Sequence, residues 1–128
     1  RLSDAIVHPA VIPGEGNTKE TLGYLHGNCG GCHSDDYYLA HNYGLRLRVA
    51  LGTETPEASA AYTTGINAPT MHVLATSIAI VLGDPEASQV YERMGRRDMM
   101  AMPLLGTKRV DEEALGRVHE WITSLGTK

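Results

Sequence analysis

Cys29-Gly30-Gly31-Cys32-His33 contains both cysteines of the chain, separated by two residues and followed at once by a histidine. That spacing reads as covalent attachment of a c-type haem. Each thiol can add to one vinyl group of the porphyrin, and the adjoining imidazole then reaches the iron from one face. The two glycines relieve crowding where the backbone must run close to the macrocycle. Three competing readings of the pair stay open. A thioredoxin-like dithiol wants a βαβ context, whereas Ser34-Asp35-Asp36-Tyr37-Tyr38 follows His33. A zinc site needs four ligands, and the other histidines, at positions 8, 26, 41, 72 and 119, are scattered. A disulfide across two residues closes a very small loop and stabilises little.

The bulk composition is compatible with the haem reading. A chain of 128 residues bounds a single domain with a modest core. It has no Phe, one Trp and six Tyr, so a buried porphyrin would supply apolar area that the side chains lack. The net charge of −4 has none of the basic footprint of a nucleic-acid binder. No apolar run approaches membrane-spanning length. No export signal opens the chain, and haem joins such motifs after export, so a mature form or an excised domain of a periplasmic or extracellular protein is expected.

Outward from the motif, residues 1–16 carry Pro9, Pro13, Gly14 and Gly16 and read as an extended arm or linker, with the domain at 17–128. Asn17-Thr18-Lys19-Glu20 resembles a capping box. It opens a helix expected to run to about His26 and to stop at Gly27-Asn28, delivering Cys29 from a helix end. Tyr37 to Leu39 suggest a helical turn. Leu45, Leu47, Val49 and Leu51 alternate with Arg46, Arg48 and Ala50 in a strand-like period, read as an extended segment along the core. Thr53 to Pro69 reads as loop with at most a helical turn. Val73 to Leu82 is apolar. Asp84-Pro85-Glu86 then predicts a helix start with Asp84 as cap and Pro85 in the first position, with Val90, Tyr91 and Met94 inward and an end near Gly95. A last helix is expected from the Asp111 cap through Glu112 and Glu113 to Gly126. Leu115, Val118, Ile122 and Leu125 mark its apolar face, and Trp121 adjoins it.

An iron held by His33 needs its other face filled or left open. Four of the five methionines lie between positions 94 and 102, and a thioether ligand raises the reduction potential. Met102 is the chosen distal ligand, because Pro103 biases it toward an extended conformation that aims the sulfur inward. Met94 reads as a core gap-filler; Met99 and Met100 are lesser alternatives. His72 is the rival ligand and would give a lower potential. His26 is expected at the surface or as a hydrogen-bond partner near the haem rim, and His119 facing solvent. Arg46, Arg48, Arg96 and Arg97 are candidate propionate partners, since guanidinium pairs well with carboxylate.

Cys29 to His33, the Met102-Pro103 step and the terminal helix with Trp121-Ile122 together resemble class I cytochromes c. More narrowly, Tyr24 to Cys29, Gly83 to Ser88, Met102-Pro103 and Trp121-Ile122 look like the monohaem cytochrome c-like domains of secreted bacterial proteins, which often stand beside sugar- or alcohol-oxidising modules. The resemblance spans roughly residues 17–125. It implies an all-α fold: a helical shell around one covalently bound haem c, with long irregular loops and first and last helices crossing, Gly23 giving close approach to Trp121 or Leu125. The 68 residues between His33 and Met102 exceed what a compact domain of this kind needs, which implies an insertion.

The function expected is electron transfer through haem held by Cys29, Cys32, His33 and Met102, with no substrate chemistry, toward a redox partner protein or a fused oxidoreductase module. The alternatives are a haem enzyme or sensor with an open or displaceable distal site for peroxide or a diatomic gas, and a relay domain of a larger oxidoreductase. The sequence does not specify oligomeric state.

Overall fold

The computed structural model describes residues 11–36, 44–71, 74–103 and 108–127. Four α-helices account for the regular structure among them: α1 (Gly16–Cys29), α2 (Ala60–Gly65), α3 (Gln89–Met94) and α4 (Glu112–Leu125). A 3-10 turn at Pro56–Ala58 leads into α2. The described residues contain isolated β-bridges and no strand, so the fold is all-α there. None of these helices is long and apolar enough to cross a membrane.

Helix α4 forms where the sequence predicts, with Ala114 and Trp121 in its buried stripe and Leu115, expected there, only half-buried. The Asp111 carboxylate accepts from the Ala114 amide at 3.0 Å, satisfying one of the unpaired donors at the helix start. Ala114, Val118, Trp121, Ile122 and Leu125 recur every three or four residues and are buried together. Their stripe packs along α1, where Thr21, Leu22 and Leu25 point inward. Tyr62 of α2, Leu47, Ile80 and Met94 of α3 complete the core. The indole N–H of Trp121 donates to the Tyr62 hydroxyl at 3.2 Å, with the rings edge-on at 5.7 Å between centroids. A large aromatic pair is thereby buried without leaving its polar atoms unsatisfied.

Helix α1 differs from its expected outline at both ends. It begins at Gly16 with Glu15 as the cap residue, and no side chain caps it. The Asn17 amide instead donates to the Arg117 carbonyl of α4 at 2.9 Å, and the Thr21 hydroxyl donates to the same oxygen. Docking of the two helices takes the group that local geometry would have used as a cap. Gly27 and Asn28 do not stop the helix; it continues to Cys29, and the Asn28 side chain donates back to Tyr24 O. Gly23 does not mediate the crossing, because a Cβ there would meet Ile12 at 3.7 Å.

Asp84-Pro85-Glu86 makes a turn and not the start of α3. The Asp84 carboxylate accepts from the Ala87 amide at 3.1 Å, and Ser88, in extended conformation, bridges to Ile78. Helix α3 starts only at Gln89. The Gln89 and Val90 amides donate to the carbonyls of Ile78 and Ala79 at 2.8 and 3.1 Å, so the neighbouring chain does the work of a cap. Val90 and Tyr91 are half-buried against the core and Met94 is buried, and α3 does end at Gly95. The loop expected between Thr53 and Pro69 contains a helix, α2. Leu45 to Val49 run without regular structure, with Leu47 and Val49 buried, whereas Leu51 is 76% exposed and leaves the pattern. Within the apolar run, Ala79 and Ile80 are buried and Leu82 is exposed. The arm before residue 11, the turn at Tyr37 to Leu39 and His72 lie outside the described residues.

Candidate functional site

The C-terminal turn of α1 delivers the motif. Cys29 is the last helical residue, and its carbonyl accepts the amides of Cys32 (3.2 Å) and His33 (2.8 Å), so the chain keeps curling through all five residues. Gly30 is required by the chain itself: a Cβ would stand 2.5 Å from the His26 carbonyl and 3.0 Å from Arg48 Cα. Gly31 is exposed with nothing near it. The two thiols are free, Cys29 half-buried and Cys32 exposed. Burial, and then the neighbouring Cys32, push the Cys29 thiol up to about 11.

His33 is half-buried, and its Nδ1 lies 3.2 Å from the Leu45 carbonyl. A carbonyl can only accept, so this contact fixes the proton on Nδ1 and leaves Nε2 with the free lone pair. Burial lowers the pKa of His33; the Leu45 bond opposes that, and the Arg46 and Arg93 cations reinforce it. The imidazole is thus held neutral, the form that binds metals.

Met102 is placed by helix α3. Its amide donates to the Arg93 carbonyl at 3.0 Å, and its carbonyl accepts from Arg97, which also donates to Met94 O at 2.7 Å. The preceding turn is organised by Asp98, which accepts from the Met100 amide and pairs with Arg96 at 2.7 Å. Met102 is half-buried, as is Met100, whereas Met99 is 91% exposed. Met94 belongs to the core.

Cys29 and Met102, distant in sequence, line one cleft that opens in part to solvent. Met94 and Pro103 complete its apolar wall, while Tyr24, Arg97, Arg109 and Asp111 stand at its polar side. The pKa of the Tyr24 phenol is raised by burial and then by the Asp111 carboxylate beside it. Of the four candidate ligands, Cys29 and Met102 line this cleft and Cys32 and His33 do not; the donor set itself, two thiols, an imidazole protonated on Nδ1 and a thioether, is the kind haem c takes. Among the described residues no three His, Cys, Asp or Glu side chains gather as a metal-ion site, so Cys29 and Cys32 gain no further zinc ligands there.

The arginines singled out in the sequence have partners within the chain. Arg46 pairs with Asp35 at 2.7 Å, Arg48 with Asp36, and Arg96 with both Asp98 and Glu92. His119 is partly exposed beside Glu86 and Tyr91. His26 accepts the Val49 amide on Nδ1 at 2.8 Å. Sequence reasoning missed Arg109, which lines the cleft, the burial of Arg93 and the part played by Tyr24. Arg93 is buried and donates to the Gln89 side chain, and Tyr24 joins Asp111. Nothing local marks a buried arginine as different from a solvated one; the Gln89-to-Arg93 spacing of one helical turn is the sole hint.

Set against protein-family models, curated proteins and solved structures, the chain matches none of them.

Proposed function

We propose that this chain transfers electrons through one covalently attached haem c, with His33 and Met102 as the two axial ligands. The observation that carries the reading is the meeting of Cys29 and Met102 on one cleft, and His33, four residues on from Cys29, keeps its Nδ1 on the Leu45 carbonyl. Haem bound there supplies one-electron chemistry at an iron centre. The protein's own part is to hold and tune. Cys29 and Cys32 tether the ring, and the Leu45 carbonyl orients His33 and raises its basicity. Met102, clasped to Arg93 by its amide, presents a soft sulfur that favours the reduced state. The apolar side chains of Met94 and Pro103 would cover part of the ring, and the less water there, the more the less charged, reduced form would be favoured. Such a site needs no substrate pocket, only a partner that docks weakly and transiently. The reading implies attachment in an exported, periplasmic or extracellular setting, and a separate redox protein or a fused oxidoreductase module as partner.

Absorption spectra of oxidised and reduced protein, with and without carbon monoxide, test it in wild type and Met102→Ala. The expected result is covalent haem, a thioether–iron charge-transfer band lost in the variant, and carbon monoxide binding by the variant alone. Ready binding of carbon monoxide by wild type would remove the electron-carrier reading in favour of an open distal site.

A further inference from the structure

Leu45 to Val49 form no regular element, yet all five residues are tied by backbone hydrogen bonds to residues of the motif and its helix or to α2. The Leu45 carbonyl meets His33 Nδ1 at 3.2 Å. The Arg46 amide donates to Thr64 of α2 at 2.9 Å. The Leu47 and Arg48 amides both donate to the His33 carbonyl, at 2.8 and 3.4 Å. The Val49 amide donates to His26 Nδ1 at 2.8 Å. On the outer face, Arg46 and Arg48 pair with Asp35 and Asp36, just past His33.

We infer that His26 is a positioning residue for His33, and that its Nδ1 sets the register in which Leu45 reaches the His33 ring. The inference rests on His33 being the proximal iron ligand. Val49 is buried, so its N–H needs a partner, and the described contacts supply only the imidazole of His26. To accept, Nδ1 must be unprotonated, which puts the proton of neutral His26 on Nε2. The two histidines therefore carry opposite tautomers, one receiving from the segment and one donating to it. Side chains alternate along the segment, so a slip of one residue would turn Leu47 and Val49 outward. A slip of two would keep them buried while moving the Leu45 carbonyl off His33. The His26 contact, together with the amide bonds of Arg46, Leu47 and Arg48, opposes that second slip, which burial alone does not. Gly30 lets Arg48 approach so closely that the segment lies directly on the motif.

The test is nuclear magnetic resonance of the haem-loaded, reduced and diamagnetic protein. In ¹⁵N-labelled wild type, a coupling across the hydrogen bond between the Val49 amide and His26 Nδ1 is expected. In His26→Leu, the His33 Nδ1 proton should exchange with solvent roughly tenfold faster, the scale of one lost hydrogen bond. His26→Asn, which offers an acceptor at the same position, should return exchange close to the wild-type rate. Absence of the coupling in wild type overturns the inference without any variant, including if His26→Leu fails to fold. So does a folded His26→Leu protein that unfolds at lower denaturant yet keeps wild-type exchange at His33, since that marks a merely structural role. A wild-type chain matured without covalent haem, or with His33 off the iron, overturns the proposed function itself and is seen in the spectrum before any exchange is measured.

Discussion

Gly83 and Gly126 face one another so closely that a Cβ built on Gly126 would lie 2.7 Å from the Gly83 Cα. Gly126 ends α4, and Gly83 sits in the turn before α3 with a φ of +76°. The Gly83 amide donates to the Ile122 carbonyl at 3.0 Å, so the last turn of α4 is closed by the segment that passes it. Gly126→Ala is expected to destabilise by about 1–3 kcal/mol, the usual cost of forcing atoms into a packed site. Urea unfolding followed by far-ultraviolet circular dichroism measures it, and an unchanged midpoint would contradict the close approach.

The same helix offers a contrast of sign. Gly116 is exposed in the middle of α4, and a Cβ there meets nothing within 4 Å. Gly116→Ala should therefore stabilise by about 0.5–1 kcal/mol through helix propensity and reduced freedom of the unfolded chain. The same unfolding measurement must give shifts of opposite direction at positions 116 and 126.

Trp121 is 1% exposed and bonded to Tyr62. Trp121→Phe keeps a ring but removes the indole donor, leaving the Tyr62 hydroxyl buried without it. A loss of about 1–3 kcal/mol follows from the unsatisfied polar group. The double variant with Tyr62→Phe should lose less than the two single changes added together. A strictly additive double variant would show that the pair does not interact.

Protein produced without the attachment machinery should alkylate unevenly. Cys32 is exposed, whereas the Cys29 thiol is pushed from 9.0 to about 11 by burial. The thiolate is the nucleophile, so Cys29 labelling is slow at neutral pH and rises about tenfold per pH unit toward 11. The sign for stability follows: folding disfavours the thiolate, so this contribution is intact below 9.0 and is lost as pH rises through about 11. Mass spectrometry of iodoacetamide-treated protein checks the order, which should vanish in urea.

Met99 and Met102 should separate cleanly. Met99→Ala, at an exposed position, is expected to leave the haem spectrum unchanged. Met102→His should retain a six-coordinate iron at a lower midpoint potential, since His/His ligation favours the oxidised state relative to His/Met. Potentiometric titration reads the shift. An unshifted potential in Met102→His would return attention to His72 and Met100.

Features that depend only on neighbours along the chain can be read from its residues. The Asp111 cap, the apolar stripe of α4 and its end at Gly126 follow from spacing and capping chemistry, and the structure has all three. The stop of α3 at Gly95 was legible in the same way, whereas α1 runs past the expected stop at Gly27-Asn28 to Cys29; Cys29, Cys32, His33 and Met102 are candidates that the sequence names. Local capping rules misplaced the starts of α1 and α3, because partners distant in the chain claimed the polar groups. Asn17 bonds to Arg117 across the helix pair, and Ile78 and Ala79 take the first amides of α3. Tertiary structure alone decided that Cys29 and Met102 share a cleft, that Arg93 is buried, and that Leu45 and His26 bracket the register of the segment holding His33. Each of these is a contact between residues far apart in sequence. Its free energy depends on burial and on competition for hydrogen-bond partners, neither of which exists until the chain has closed on itself.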